Sequence, residues 1–395
     1  MGRYDAIVLG LGAAGSAAVY QLAKRGARVL GIDRHAPPHP HGSTHGDTRI
    51  TRLAIGEGAH YSPLAIRSHE IWRELERETG ETLLTTNGGL IISSPNKQAF
   101  THVNEFFANT VAAAERYGIA HERLDAAQIR ARFPEFAVSD DEYGYLERDA
   151  GYVRPEACVR VQLELARELG GDIRVDERAL AFEQAGRGVA VATDKGRYEA
   201  DRLIIAAGPW LPELLGRDLA RPFRVHRQVL YWFDIEGALE PFLPHRFPVF
   251  IWELRETRQG IYGFPAVDGP KGGLKIATEQ YRATTTPDGA LREVGAAEIT
   301  EMHAKYVAPY FPHLSSRCVR AVTCLYTVTP DFAFVVDRHP ESERVIVASA
   351  CSGHGFKHSA ALGEAVAGLV LDGKSGFDLA PFAFSRLLRG KASDP

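Results

Sequence analysis

The stretch DAIVLGLGAAGSAAVYQLAKRGARVLGID, residues 5–33, decides the fold class. Ala6 to Leu9 reads as a short buried strand, and Gly10-Leu11-Gly12-Ala13-Ala14-Gly15 as a G-x-G-x-x-G turn. Ser16 to Arg25 is an alanine-rich helix that Gly26 stops, and Arg28 to Ile32 is a second strand ending at Asp33. A complete β-α-β unit with an acid at its end is the dinucleotide-binding pattern. Gly10 permits the tight turn, Gly12 lets the backbone approach a pyrophosphate, and Gly15 lets helix and sheet close together. The helix N-terminus supplies free N–H donors, and Asp33 would take a ribose hydroxyl. The alternative is an ordinary glycine-rich turn; strand, helix and acid all in place favour dinucleotide binding over it.

Outward from this unit the chain alternates. A polar loop, Ala36 to Arg52, leads to a helix with Ser62 as N-cap, Pro63 at its first position and Gly80 as its stop. Leu64, Ile71, Trp72 and Leu75 face inward from it. Residues 82–145 mix short strands such as Leu90-Ile91-Ile92 with a helix expected over Gln98 to Tyr117. Residues 151–175 add a helix and a strand, and Leu203 to Ala206 is a buried strand running into Gly208. Residues 226–317 are rich in aromatic and β-branched runs, which predicts a mostly antiparallel sheet. The tail returns to a strand (345–350), a Gly353-His354-Gly355 turn and a helix over Ser359 to Leu371. The predicted fold is mixed α/β. A discontinuous Rossmann-like domain (1–85, 146–225 and 318–395) holds the cofactor, and an inserted antiparallel-sheet domain (86–145 and 226–317) holds the substrate.

Composition excludes several alternatives. The chain has 395 residues, 46 Lys+Arg against 50 Asp+Glu, and a net charge of −4. Without a dense basic run, neither nucleic acid nor an anionic membrane is an expected partner. Four cysteines without a CxxC pair predict neither a disulfide scaffold nor a zinc module, so a cytoplasmic setting is expected. The apolar window from Ala6 to Leu22 is broken by three glycines and is not a membrane span. Four histidines within residues 35–45 lie among prolines at irregular spacing and suggest no metal. Ser94-Pro95-Asn96-Lys97 fits S-x-x-K, but its loop setting argues against a serine nucleophile.

A single fingerprint does not separate NAD from FAD. The N-terminal position of the turn and two remote glycine-bearing strand ends, Gly208 and Gly353 to Gly355, favour the larger FAD. Six co-linear blocks then carry a resemblance. They are Pro37 to Arg52, Gly56-Glu57-Gly58 with Tyr61-x-Pro-Leu, Tyr262-Gly263-Phe264-Pro265, Gly273-Leu274-Lys275, Thr323 to Thr327, and Ser352 to Lys357. Together they resemble the monomeric sarcosine oxidase and N-methyl-L-tryptophan oxidase family of FAD-dependent amine oxidases.

That resemblance implies a monomeric flavoprotein oxidase of secondary amino acids that uses O2 and releases H2O2. Its FAD would be linked through a thioether to the residue matching Cys324, which on its own reads as a buried core cysteine. Arg49 and His45 would sit against the flavin ring, where a fixed cation stabilises the negative charge of reduction. Arg52 and Lys357 would clamp the substrate carboxylate, Tyr262 would line its pocket, and Lys275 would assist O2 by its positive charge. Arg34, Ser43, Thr48, Gly208, Gly353, His354, Gly355 and Lys357 complete the implied cofactor positions, with Gly10, Gly12, Gly15 and Asp33. The chain departs from the family at Glu279, where a histidine is usual, at Thr44, and in a longer 267–272 segment. Glu279 either favours a cationic or larger amine or points away. The competing readings are a primary amino-acid oxidase, a dehydrogenase with another acceptor, and a non-catalytic FAD-binding protein.

Overall fold

A computed structural model describes residues 3–388. Its first sheet has eight strands. The parallel core runs in the spatial order 342–349, 197–205, 4–9, 29–32, 172–174. The four strands from 342–349 to 29–32 are buried apolar runs at their pairing segments, whereas the edge strand 172–174 is Asp-Ile-Arg and only partly covered. The outer part of strand 197–205 instead pairs antiparallel with 188–193, which carries 179–185 as an edge. On one face the helix Ala13–Lys24 packs between Pro155–Glu168 and Ser359–Leu371. All ten residues from Gly15 to Lys24 except the last are buried, so this helix is held by packing on every side rather than by one stripe.

The second sheet has nine strands in the order 284–285, 224–235, 274–278, 261–263, 249–252, 89–93, 143–147, 121–125, with 314–328 also paired to 224–235. It is antiparallel except where 249–252 meets 89–93. A separate three-stranded antiparallel sheet pairs 151–153 with 49–51 on one side and 84–86 on the other. Among the described residues no helix is long and apolar enough to cross a membrane.

Three local expectations change. Ser62 is not an N-cap: the single turn Ala59–Tyr61 runs directly into the helix Ser62–Thr79, with the Tyr61 amide donating to the Gly58 carbonyl at 3.0 Å. The helix expected from Gln98 begins only at Phe106. Its missing turns go elsewhere because the Gln98 and Ala99 amides donate to Leu254 O and the Phe100 amide to Arg258 O. His102 takes a φ of 57° there. Finally, the cut points at 146, 226 and 318 fall inside strands 143–147, 224–235 and 314–328. The last two pair from Arg224–Val328 to Ile235–Leu314, so both belong whole to the nine-stranded sheet.

Candidate active site

Four parallel strands end on one cavity of about 1310 Å³. Leu9 leads into Gly10, Ile32 into Asp33, Ile205 toward Gly208, and Ser349 into the 350–355 turn. Carboxyl ends of parallel strands are where open α/β sheets bind ligands. Gly10 has a φ of +87°, and a Cβ there would stand 2.5 Å from the Ala206 carbonyl oxygen. A Cβ on Gly15 would collide with the Gly10 carbonyl oxygen, which is the close helix approach its motif position predicts. Asp33 is held by two amides, Leu11 N at 2.7 Å and His35 N at 2.9 Å, so the acid braces the glycine turn as it lines the cavity. Arg34 stacks over Trp210 at 4.9 Å, and its Nη1 is buried without a hydrogen-bond partner, as is Ser43 Oγ. Glycines that leave room, a helix N-terminus and orphaned donors on one wall fit a nucleotide with a pyrophosphate.

Beyond this wall lies a cationic knot. Arg49 lines the cavity and donates to Thr48 O at 2.8 Å and Ser43 O at 2.9 Å. Lys275 Nζ donates to Gly46 O at 2.7 Å, Thr48 O at 2.8 Å and Thr48 Oγ1 at 3.1 Å, and it sits 4.3 Å from the Phe264 ring centre. Burial, then Arg49, pushes the Lys275 ammonium well below its usual range, and the three oxygen acceptors oppose that. His45 is lowered to about 3 by burial and by the charges of Arg49 and Lys275, so it is a neutral imidazole. Its Nε2 is buried without a partner. Cys324 is fully buried in strand 314–328, and burial pushes its thiol up. Lys275, His45, Thr48 and Cys324 stand behind the cavity wall rather than in it.

A second cavity, of about 1250 Å³, meets the first at Arg49, Tyr326, Gly353 and Phe356. Arg52, Lys357, Tyr262 and Glu279 all line it, as does His354; Lys357 and His354 open here and not on the first cavity. Arg52 and Lys357 converge from distant segments, but on Glu57. Arg52 Nη2 lies 2.6 Å from Glu57 Oε2, and Lys357 Nζ lies 3.7 Å from Oε1. All three side chains are nearly inaccessible. Burial alone would raise the Glu57 carboxyl, yet Arg52 and Lys357 hold it well below the carboxylate range. Glu279 is engaged too: His102 Nε2 lies 2.9 Å from its Oε2, and Tyr281 OH donates to the same oxygen at 2.9 Å. Burial lowers the His102 imidazole, but Glu279 and Glu57 together raise it to about 9. Glu279 is therefore paired with a histidine, His102, on the segment that left its expected helix.

The segment bearing Arg52 is itself fixed. Buried Glu147 accepts the Leu53 amide at 2.6 Å, the Ala54 amide at 3.1 Å and Tyr145 OH at 2.9 Å. Phe106 stacks on the Arg52 guanidinium at 4.9 Å. With the geometry in hand, the model of the FAD dependent oxidoreductase family matches residues 5–369. The chain belongs to this family. As an FAD dependent oxidoreductase it is 40% identical to a monomeric sarcosine oxidase from Streptomyces avermitilis over 98% of this chain and 99% of that one. It is 34% identical to an N-methyl-L-tryptophan oxidase from Escherichia coli, over 97% of this chain and 99% of the relative. Among solved structures, NikD, described as an unusual amino acid oxidase essential for nikkomycin biosynthesis, superposes with a TM-score of 0.83. That pair is 23% identical, with 97% of this chain and 98% of that one covered. A glycine oxidase from Geobacillus kaustophilus superposes at 0.75 with 20% identity, covering 98% and 99%. These last two likenesses concern the fold alone.

In this oxidoreductase the roles of Glu57, Glu147, His102 and Tyr281 were not legible in the chain. Glu57 stood between two glycines within a recognised block, which was the only signal available. His102 and Glu147 carry none, because each reaches the site by a tertiary route.

Proposed function

We propose that this oxidoreductase oxidises a secondary amino acid, N-methyl or cyclic, to an imine that water hydrolyses, with O2 reduced to H2O2. The observation that carries the reading is the junction of two chambers at Arg49 and Gly353, one fitted to a dinucleotide and the other holding Arg52 and Lys357. Gly10, Gly12, Gly15, Asp33, Arg34, Ser43 and Gly208 would hold FAD, which when bound supplies a two-electron acceptor for the substrate C–H bond and passes the electrons to O2. Cys324 is the proposed thioether position, and yellow colour remaining with acid-denatured protein is the expected sign of it.

The remaining steps belong to the chain. Arg52 and Lys357 bind the substrate carboxylate as it displaces Glu57 from their shared space, and two cations on one anion orient the carbon to be oxidised. Tyr262 and Tyr326, 3.4 Å apart at their hydroxyls, wall the chamber where the two cavities meet. Arg49 and Lys275 place positive charge beside the junction, favouring negative charge that develops there. Unpaired cysteines support a cytoplasmic setting, and relatives named as monomeric support a monomer.

The test is an H2O2 assay over sarcosine, N-methyl-tryptophan, pipecolate, proline and glycine, with anaerobic flavin bleaching in parallel. Turnover of secondary amines with stoichiometric H2O2 is expected. Preference for glycine, or bleaching without H2O2, would move the enzyme to a primary amine oxidase or a dehydrogenase.

A further inference from the structure

The second cavity is lined by five Lys and Arg side chains but only two carboxylates. Both carboxylates are already matched: Glu57 by Arg52 and Lys357, Glu279 by His102 and Tyr281. A substrate therefore meets an electropositive chamber, and the acid at position 279 does not recruit a cationic amine. Arg52 and Lys357 form the buried end. Arg258 and Arg282 form the exposed rim, and they come from two different loops.

The two rim arginines differ from the nearby Arg255, which is paired with Asp141 at 2.8 Å. Among the described residues, neither Arg258 nor Arg282 has an ion-pair partner, so their charge faces the opening. The Arg258 carbonyl accepts the Phe100 amide at 3.1 Å, and the side chain of the next residue, Gln259, donates from Nε2 to Glu279 O at 3.0 Å and accepts Tyr306 OH at Oε1 at 2.7 Å. Between rim and interior, Phe100 offers an apolar face that is 44% exposed, edge-on to Phe332. Methylene groups suit that strip better than polar ones do.

We propose that the substrate carries a second anionic group. It is a secondary amino acid whose side chain ends in a carboxylate: the α-carboxylate lies at Arg52 and Lys357, the methylenes cross Phe100, and the distal carboxylate meets Arg258 and Arg282. This rests on the oxidase reading above and narrows it to a dicarboxylic class. Guanidinium forks suit carboxylates bidentately. Because the rim is exposed, the preference is screened by salt.

The experiment compares kcat/KM of the holoenzyme for N-methyl-L-glutamate and N-methyl-L-glutamine, which match in size and differ by one charge. N-methyl-L-aspartate tests chain length. The expected preference for the glutamate is about tenfold at low salt, the size of two partly exposed charge pairs. It should shrink severalfold in 0.5 M salt and approach unity in the Arg258→Gln/Arg282→Gln double variant, with flavin content confirming folding. Equal rates for the two substrates, or a preference that survives in the double variant, would overturn the proposal. Sarcosine turnover with neither glutamyl substrate accepted would overturn it alone. Absence of any secondary-amine turnover would overturn the oxidase reading beneath it.

Discussion

Carboxylate binding in the inner chamber should switch off as pH rises through about 8, because Lys357 loses its proton there. Burial is the main cause of its lowered pKa, with Arg52 adding to it and Glu57 opposing. Below pH 8 the ammonium is present and attracts an anion. Above pH 8 the affinity of a carboxylate that needs it should fall up to tenfold per pH unit, which is about 1.4 kcal/mol. A substrate amine titrates in the opposite sense, since only its neutral form reacts, so turnover would blur the effect. The assay therefore uses propionate, a carboxylate without an amine, titrated by its perturbation of the flavin spectrum from about pH 6.5 to 9.5. Lys357→Met should weaken propionate at pH 7 by about 2 kcal/mol or more, the cost of truncating one member of a buried charge cluster. It should also flatten the curve between pH 8 and 9. A residual decline above pH 9 would belong to His102, raised to about 9 by its two carboxylates. An affinity independent of pH in the parent protein, or an unchanged slope in Lys357→Met, would refute the reasoning.

Three further outcomes follow from named contacts. Glu57→Gln strands Arg52 and Lys357 together, so the protein should lose about 3–5 kcal/mol of stability, read as a lower Tm. The propionate inflection should also move to lower pH, since Glu57 is the group raising Lys357. Gly15→Ala drives a Cβ into the Gly10 carbonyl, and the purified protein should be colourless or depleted in flavin by absorbance ratio. Full flavin content would show that the turn yields more easily than its geometry implies. Lys275→Met removes three hydrogen bonds and a positive charge beside the chamber junction. Stopped-flow reoxidation by O2 should slow far more than anaerobic reduction by substrate; equal slowing would assign Lys275 to structure.

Local spacing determined a good deal. The turn at Gly10 to Gly15, the helix stop at Gly26, the acid at Asp33 and the buried strand before Gly208 are short-range features. Each follows from steric demands within a few residues, so each can be read in one dimension. The antiparallel character of 226–317 was equally visible in its aromatic and β-branched runs. Resemblance added Arg49, Arg52, Lys275 and Lys357 as candidates, and the structure brings Arg52 and Lys357 onto one cavity and Arg49 onto both.

What only the tertiary structure decided is where those charges find their counterparts. Amphipathic spacing made residues 98–117 look like one helix. The carbonyls of Leu254 and Arg258 instead capture the amides of residues 98–100, and this shift carries His102 to Glu279. Nothing within either segment signals the pairing, because it depends on a loop more than 150 residues away. The same holds for Glu147, which sets the Arg52 segment by accepting two of its amides. A buried charge is costly unless matched, and matching is a property of three-dimensional neighbours. The sequence by itself determined a dinucleotide-binding frame and its family. Folding decided that both carboxylates of the second cavity are matched inside it, while Arg49 at the junction and Arg258 and Arg282 at the rim have no ion-pair partner among the described residues.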